Sequence, residues 1–209
     1  MASRFVEPVT LAGTHATLEP LARSHLELVA AAAADGELWK LWYTSVPAPQ
    51  NTEKWLDAAL DMRERLGAMP FVVRDSESGD VVGSTRYFNV DAANRRLEIG
   101  HTWYAKRAQR TAVNTECKLL LLTHAFETLG CIAVEFRTHW FNQASRAAIE
   151  RLGAKQDGVL RSHQLMPDGS RRDTVVFSIL DGEWAAVKAH LRFLLAKPRR
   201  APARGTEKA

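Results

Sequence analysis

Between Phe71 and Tyr104 three β-type runs follow one another with only tight turns between them: "FVVRD", "VVGSTRYFNV" and "RRLEIGHTWY", linked by "SESGD" and "DAAN". A parallel crossover needs a dozen or more residues, so links this short force the runs to pair as an antiparallel meander. A doubly wound nucleotide-binding fold is thereby excluded, because strands and helices do not alternate throughout.

After the meander the periodicity changes. "TAVNTECKLLLLTHAFETLG" reads as a helix, "IAVEFRT" as a strand and "NQASRAAIERLG" as a short helix. "GVLRSHQLM" and "RDTVVFSIL" form a hairpin through "PDGS", and "EWAAVKAHLRFLLA" closes the chain as a helix. Ahead of the meander, "VTLAGTHATLEPL" suits one or two short strands, and Ser24 is placed to cap a helix through "HLELVAAAAA". Thr52 is placed to cap a second helix, in which Trp55, Ala59, Met62 and Leu66 recur at helical spacing before Gly67 ends it. The predicted fold class is α/β, a mixed, mostly antiparallel central sheet flanked by helices.

A chain of 209 residues is long enough for one domain with a full core. We expect that domain over residues 1–196 and a basic, disordered tail over 197–209, "KPRRAPARGTEKA", which carries much of the net charge of +4. A basic tail is weak support for nucleic-acid binding, and no aromatic and basic RNA motif accompanies it. Two cysteines do not make a disulfide framework, and no leader-like or membrane-length apolar run is present. The expectation is a soluble, cytoplasmic protein without a metal site. Oligomeric state is open, with a homodimer the commonest arrangement.

Lys106, Arg107 and Arg110 precede the long helix without a glycine among them. A helix N-terminus offers unpaired N–H groups and about half a positive charge, so a loop that adds cations suits a polyphosphate. A solvated basic loop fits the same residues. Thr111 or Asn114 is placed to cap this helix, and a Walker loop is ruled out because the lysine is not followed by Ser or Thr. In the second helix Asn142 holds the N-cap position, and Ser145 heads a face continued by Ala148, Ile149 and Leu152. Plain capping accounts for each of these two residues taken alone.

The element order, with "LEIGHTWYAKRAQRTAVNTE", a strand and "NQASRAAIERLGA", resembles the GNAT superfamily of acyl-CoA-dependent N-acetyltransferases. It is most similar to the ribosomal-protein N-terminal acetyltransferase (RimJ/RimL) branch. The resemblance spans roughly residues 9 to 180. It implies acetyl-CoA as acyl donor, an amine as acceptor, and a diphosphate-binding loop of pattern Gln/Arg-x-x-Gly-x-Gly/Ala. That pattern falls on Arg107, Ala108, Gln109, Arg110, Thr111 and Ala112, with Arg110 where the first glycine stands. It further implies that Asn142 contacts the pantetheine arm, that Ser145 protonates the departing thiolate, and that backbone N–H groups around His101, Thr102 and Trp103 polarise the acyl carbonyl where two strands splay apart. In the strand after the Asn-x-x-Ser helix, RimL-type enzymes carry a glutamate where this chain has Gln164.

The residues themselves nominate Glu98 as the base. It alternates with Leu97 and Ile99, so its carboxylate faces away from theirs and needs a partner or a wet cleft. A surface carboxylate paired with Arg95 or Arg96 is the plain alternative, and His101, His139 and His163 titrate in a suitable range. An α-amine titrates near ~8, so an N-terminal acceptor needs little help in losing its proton. Gly100 suits a bulge or a close approach. The aromatic stretch with Trp39, Trp42 and Tyr43 is placed to wall the acceptor side, with at least one tryptophan expected to fill core.

Overall fold

The opening segment forms two short strands, β1 (Leu11–Ala12) and β2 (Ala16–Pro20), and two helices follow, α1 (Leu26–Ala34) and α2 (Thr52–Leu66). The meander then comes as β3 (Met69–Asp75), β4 (Val81–Asp91) and β5 (Arg96–Tyr104). Helix α3 (Val113–Thr123), strand β6 (Ala133–His139), helix α4 (Gln143–Glu150), the hairpin β7 (Lys155–Leu165) and β8 (Arg171–Leu180), and α5 (Asp181–Ala196) complete the chain. This computed structural model describes residues 4–44 and 46–197, so nearly all of the expected tail lies outside the described residues.

The eight strands of the described residues form one sheet in the order β1-β2-β3-β4-β5-β6-β8-β7. Every pairing is antiparallel except that of β5 with β6, which α3 connects as a crossover. The expected mixed, mostly antiparallel sheet is what forms.

Consecutive residues of β4 mark the two faces of the sheet. Tyr87 is fully buried and donates its hydroxyl to the carbonyl of Leu121 in α3 at 2.6 Å. Arg86 points the opposite way, its guanidinium 5.5 Å from the ring centroid of Trp55 in α2. The face beneath α3 and α5 holds Leu97, Ile99, Val134, Phe136 and Phe177, all buried by the alternation of their strands. Truncating one of these, such as Phe136→Ala, would cost about 3–5 kcal/mol. Glu116 fastens α3 to the sheet edge: its buried carboxylate accepts the N–H groups of Thr14 at 3.1 Å and Ala16 at 2.8 Å.

Two expected caps are not caps. Ser24 lies inside a 3-10 turn, Arg23–His25, and Thr52 is the first residue of α2, after the 3-10 turn Pro49–Asn51. In each case an i→i+3 backbone bond closes the turn, His25 N–H to Ala22 O at 3.0 Å and Asn51 N–H to Ala48 O at 2.8 Å. The helical stripe of α2 is also shorter than its spacing suggests, since Leu56 and Ala59 are buried but Leu66 is exposed. Gly67 ends the helix in the left-handed region, φ 65°, as expected.

Candidate functional site

Strands β5 and β6 share only three rungs, Arg96 with Ala133, Leu97 with Val134 and Glu98 with Glu135. Beyond them β5 stays with β4 and β6 stays with β8, so a cleft opens between residues 99–104 and 136–139. Backbone groups lining a gap of this kind have no neighbouring strand to pair with and are open to a ligand.

On the β5 side the strand bulges. Ser84 pairs with Trp103 but Arg86 pairs with Gly100, so β5 carries one residue more than β4 over that stretch. His101 takes up the difference with φ 50°, and its ring lies 4.8 Å from that of Phe88. Gly100 is needed for close approach: a Cβ there would fall 2.6 Å from Phe88 Cε1. Thr102 faces the other way, towards α3, and its Oγ1 sits 2.7 Å from Thr85 Oγ1. Trp103 turns back to α2 and packs edge-on against Trp55 at 6.0 Å.

The mouth of α3 lies beyond the end of β5. The first helical bond runs from Glu116 N–H to Ala112 O, and the N–H groups of Arg110, Thr111 and Ala112 find no acceptor among the described residues. Thr111, not Asn114, organises this turn: its hydroxyl donates to Ala108 O at 2.7 Å and accepts Val113 N–H at 3.3 Å. Gln109 donates to Tyr104 O at 3.0 Å. Arg110 adopts φ 61°, the left-handed conformation that a glycine takes most easily, and makes no ion pair among the described residues. Arg107 is tied elsewhere, to Asp35 at 3.1 Å, to Asp80 at 3.6 Å and to Val81 O at 3.3 Å.

Across the cleft, Asn142 caps α4 by accepting Ser145 N–H on Oδ1 at 3.0 Å. The Ser145 hydroxyl is half-buried and bonds to no other described residue. Just before this cap, His139 ends β6. Its Nδ1 accepts Phe141 N–H at 3.1 Å, so its proton belongs on Nε2, which is buried without a partner among the described residues. Burial, then Arg172, hold His139 below the ordinary histidine range. The rings of Trp42, Tyr43 and Phe141 stand around it at 4.9, 6.4 and 5.7 Å. The aromatic loop therefore meets the end of β6, and neither Trp39 nor Trp42 is a core residue.

Glu98 is 3% exposed and lies at the last rung before the cleft. Asn89 Nδ2 donates to its Oε2 at 2.9 Å and Arg137 Nε stands 3.3 Å from the same oxygen. Burial outweighs these partners and raises its pKa to about 7. His101 shifts in the opposite sense: burial, then the charges of Arg86 and Arg172, push it down to about 3. It stays neutral at physiological pH and is a poor proton acceptor. His163 sits farther off on β7, its Nδ1 3.1 Å from Thr174 Oγ1. Gln164 is exposed on the same strand.

Residues 15–155 match the family model described as an acetyltransferase (GNAT) domain. The chain belongs to the GNAT acetyltransferases. A relative of Bacillus subtilis (strain 168), named as a candidate ribosomal N-acetyltransferase, YdaF, is 34% identical over 110 residues; the match spans 53% of this chain and 59% of that protein's length. A GCN5-related N-acetyltransferase from Brucella melitensis superposes with a TM-score of 0.83 at 32% identity, over 91% of this chain and 87% of that one. RimL, a ribosomal L7/L12 alpha-N-protein acetyltransferase solved with coenzyme A, shares the fold at a TM-score of 0.69 and 16% identity, over 82% of this chain and 98% of its own.

Acetyl-CoA is the acyl donor of the GNAT family, and the residues here fit it. Among the described residues, three N–H groups without acceptors and an unpaired Arg110 at the α3 mouth suit a diphosphate, while an unbonded hydroxyl at Ser145 suits a thiol end. Two residues at this site escaped sequence reasoning. Arg86 and Lys118 are only 2% and 5% exposed, yet neither meets a carboxylate among the described residues. Their signal in the sequence was a lone cation inside an apolar strand and another inside the run "CKLLLL".

Proposed function

We propose that this chain moves an acetyl group from acetyl-CoA to a primary amine, foremost the α-amine of a protein or peptide N-terminus, by direct attack with both substrates bound. The observation that carries this reading is the β5–β6 cleft, with acceptor-free N–H groups at Arg110–Ala112 on one side and the unbonded Ser145 hydroxyl on the other. The kinship with YdaF, named for a ribosomal substrate, supports a protein N-terminus as the acceptor.

Bound acetyl-CoA supplies an activated acyl group. Arg110 and the amides of Thr111 and Ala112 would hold its diphosphate, with Gln109 bracing the loop and Arg107 fixing the loop to Asp35. Asn142 would orient the pantetheine arm, and the backbone at His101, Thr102 and Trp103 would polarise the carbonyl. Glu98 would take the proton that the amine sheds. A carboxylate titrating near 7 is matched to an α-amine near ~8 far better than to a lysine near ~10.4. Ser145 would hand its proton to the departing sulfur. Trp42, Tyr43 and Phe141 would wall the acceptor side.

The test is thiol release from acetyl-CoA with a panel of free and N-terminally blocked peptides and small amines, beside Ser145→Ala. Turnover with free peptides, lost on blocking and weakened roughly 10²-fold in the variant, is expected. Turnover confined to small amines would move the assignment to a metabolite or antibiotic acceptor. Coenzyme A binding without turnover would make the chain a non-catalytic binding module.

A further inference from the structure

The bulge of β5 lies between two buried cations that approach it from opposite faces of the sheet. From the α2 side comes Arg86, which pairs through its backbone with Gly100 at the start of the bulge. Its guanidinium lies against Trp55 and donates to Met62 Sδ at 3.1 Å, while its Nε is buried without a partner among the described residues. From the α3 side comes Lys118, whose ammonium donates to Thr102 Oγ1 at 2.8 Å and reaches Thr85 Oγ1 at 3.4 Å. Thr102 is itself a residue of the bulge and is exposed in the cleft.

Neither cation has an anionic partner among the described residues. Burial lowers the guanidinium of Arg86 to about 10 and the ammonium of Lys118 to about 8, so both remain charged at neutral pH. A buried charge with no counter-ion normally costs a protein several kcal/mol, and apolar residues of the same volume are often more stable. Two such costs on either side of one strand irregularity call for a negative charge that arises there.

We propose that Arg86 and Lys118 are positioning residues that hold a positive field across the β5 bulge and stabilise the negative charge that develops on the acyl oxygen and the sulfur during transfer. The inference rests on the acetyl-transfer reading given above. In that step the amine nitrogen bonds to the acyl carbon, and the carbon–sulfur bond breaks with its electron pair going to sulfur. Sulfur takes the proton of Ser145, which regains one from solvent, and the proton lost by the amine goes to Glu98, which releases it to solvent, so both residues return to their starting states. Neither cation changes its protonation state. Lys118 acts through the Thr102 hydroxyl, and Arg86 acts through the backbone of the strand beside it.

The variants to compare are Lys118→Met, Arg86→Met and Thr102→Val, the last of which keeps the lysine and cuts its link to the bulge. Each is assayed for kcat and for KM of acetyl-CoA, for thermal melting without ligand, and for the infrared carbonyl stretch of bound acetyl-CoA carrying 13C at the acyl carbon. The expected result is a kcat lowered roughly tenfold or more in both methionine variants, with KM changed less than about threefold. The carbonyl stretch should move to higher wavenumber, and Lys118→Met should melt no lower than the wild type. If a methionine variant fails to fold, Thr102→Val decides with a smaller fall in kcat and a smaller shift of the same sign. Unchanged kcat and carbonyl stretch would overturn the inference while leaving acetyl transfer intact. If the wild type binds acetyl-CoA but turns nothing over, transfer itself fails, and the carbonyl stretch alone decides whether the field exists.

Discussion

Glu98 faces Glu135 across the last rung that joins β5 to β6, and Arg137 lies between them, 3.3 Å from the first carboxylate and 2.9 Å from the second. Glu135 also pairs with Arg96, so it is well supplied with positive charge. Glu98 has Asn89 and a share of Arg137, which do not offset its burial. One carboxylate of the pair is thereby left to titrate near neutrality at the foot of the cleft.

The acid limb of the rate follows from that imbalance. A base must be ionised, so kcat/KM should rise with pH through about 7 as Glu98 loses its proton. Glu98→Gln should lower the rate at pH 7.5 by roughly 10²-fold and remove the component of the limb near 7, leaving the rise set by the α-amine near ~8. Arg137→Met removes a group that favours the carboxylate and should move the limb to higher pH. A pH–rate profile of the three proteins checks all of this.

Arg110 carries both a charge and a strained backbone. Arg110→Gly relieves a left-handed φ and should stabilise the fold by about 1 kcal/mol, whereas Arg110→Ala keeps the strain. Both lose the cation, so both should bind coenzyme A more weakly and with a shallower salt dependence than the wild type. Melting curves and calorimetric titrations at two ionic strengths separate the two effects.

Arg107 should behave differently from Arg110. Its guanidinium already belongs to Asp35, Asp80 and Val81 O, so Arg107→Ala should cost about 1 kcal/mol of stability by loosening the loop from the end of α1. The salt dependence of coenzyme A binding should change less than in the Arg110 variants. Equal loss of salt dependence in both would assign Arg107 to the diphosphate directly.

Gly100→Ala places a methyl group 2.6 Å from Phe88 Cε1 and 3.0 Å from Cζ, so the ring must move or the bulge must open. A destabilisation of about 1–3 kcal/mol is expected, together with a fall in kcat, because His101 packs on the same ring. Adding Phe88→Leu should recover part of both losses, which paired melting and rate measurements would detect.

The pattern of apolar residues disclosed the element order, the meander, the closing hairpin and the Asn142–Ser145 cap, because each depends on local periodicity or on residues three apart. The caps proposed at Ser24 and Thr52 failed because 3-10 turns close those helix starts with backbone bonds that no side-chain pattern advertises. Where β5 and β6 part was legible only through family resemblance, since it depends on register between strands far apart in sequence. Arg86 and Lys118 were passed over because burial of a charged side chain is decided by what packs over it, and "STRYF" and "CKLLLL" do not reveal that cover. The charge of Arg107 suits a phosphate, but its carboxylate partner Asp35 lies 72 residues away in sequence and could not be read from the loop.

The most direct measurement is a crystal structure of the protein with coenzyme A. Diphosphate density is expected on the N–H groups of Arg110, Thr111 and Ala112, with the pantetheine arm between β5 and β6 and the thiol within hydrogen-bond reach of Ser145 Oγ. A diphosphate bound away from the α3 mouth, or a thiol on the far side of β6 from Ser145, would contradict it.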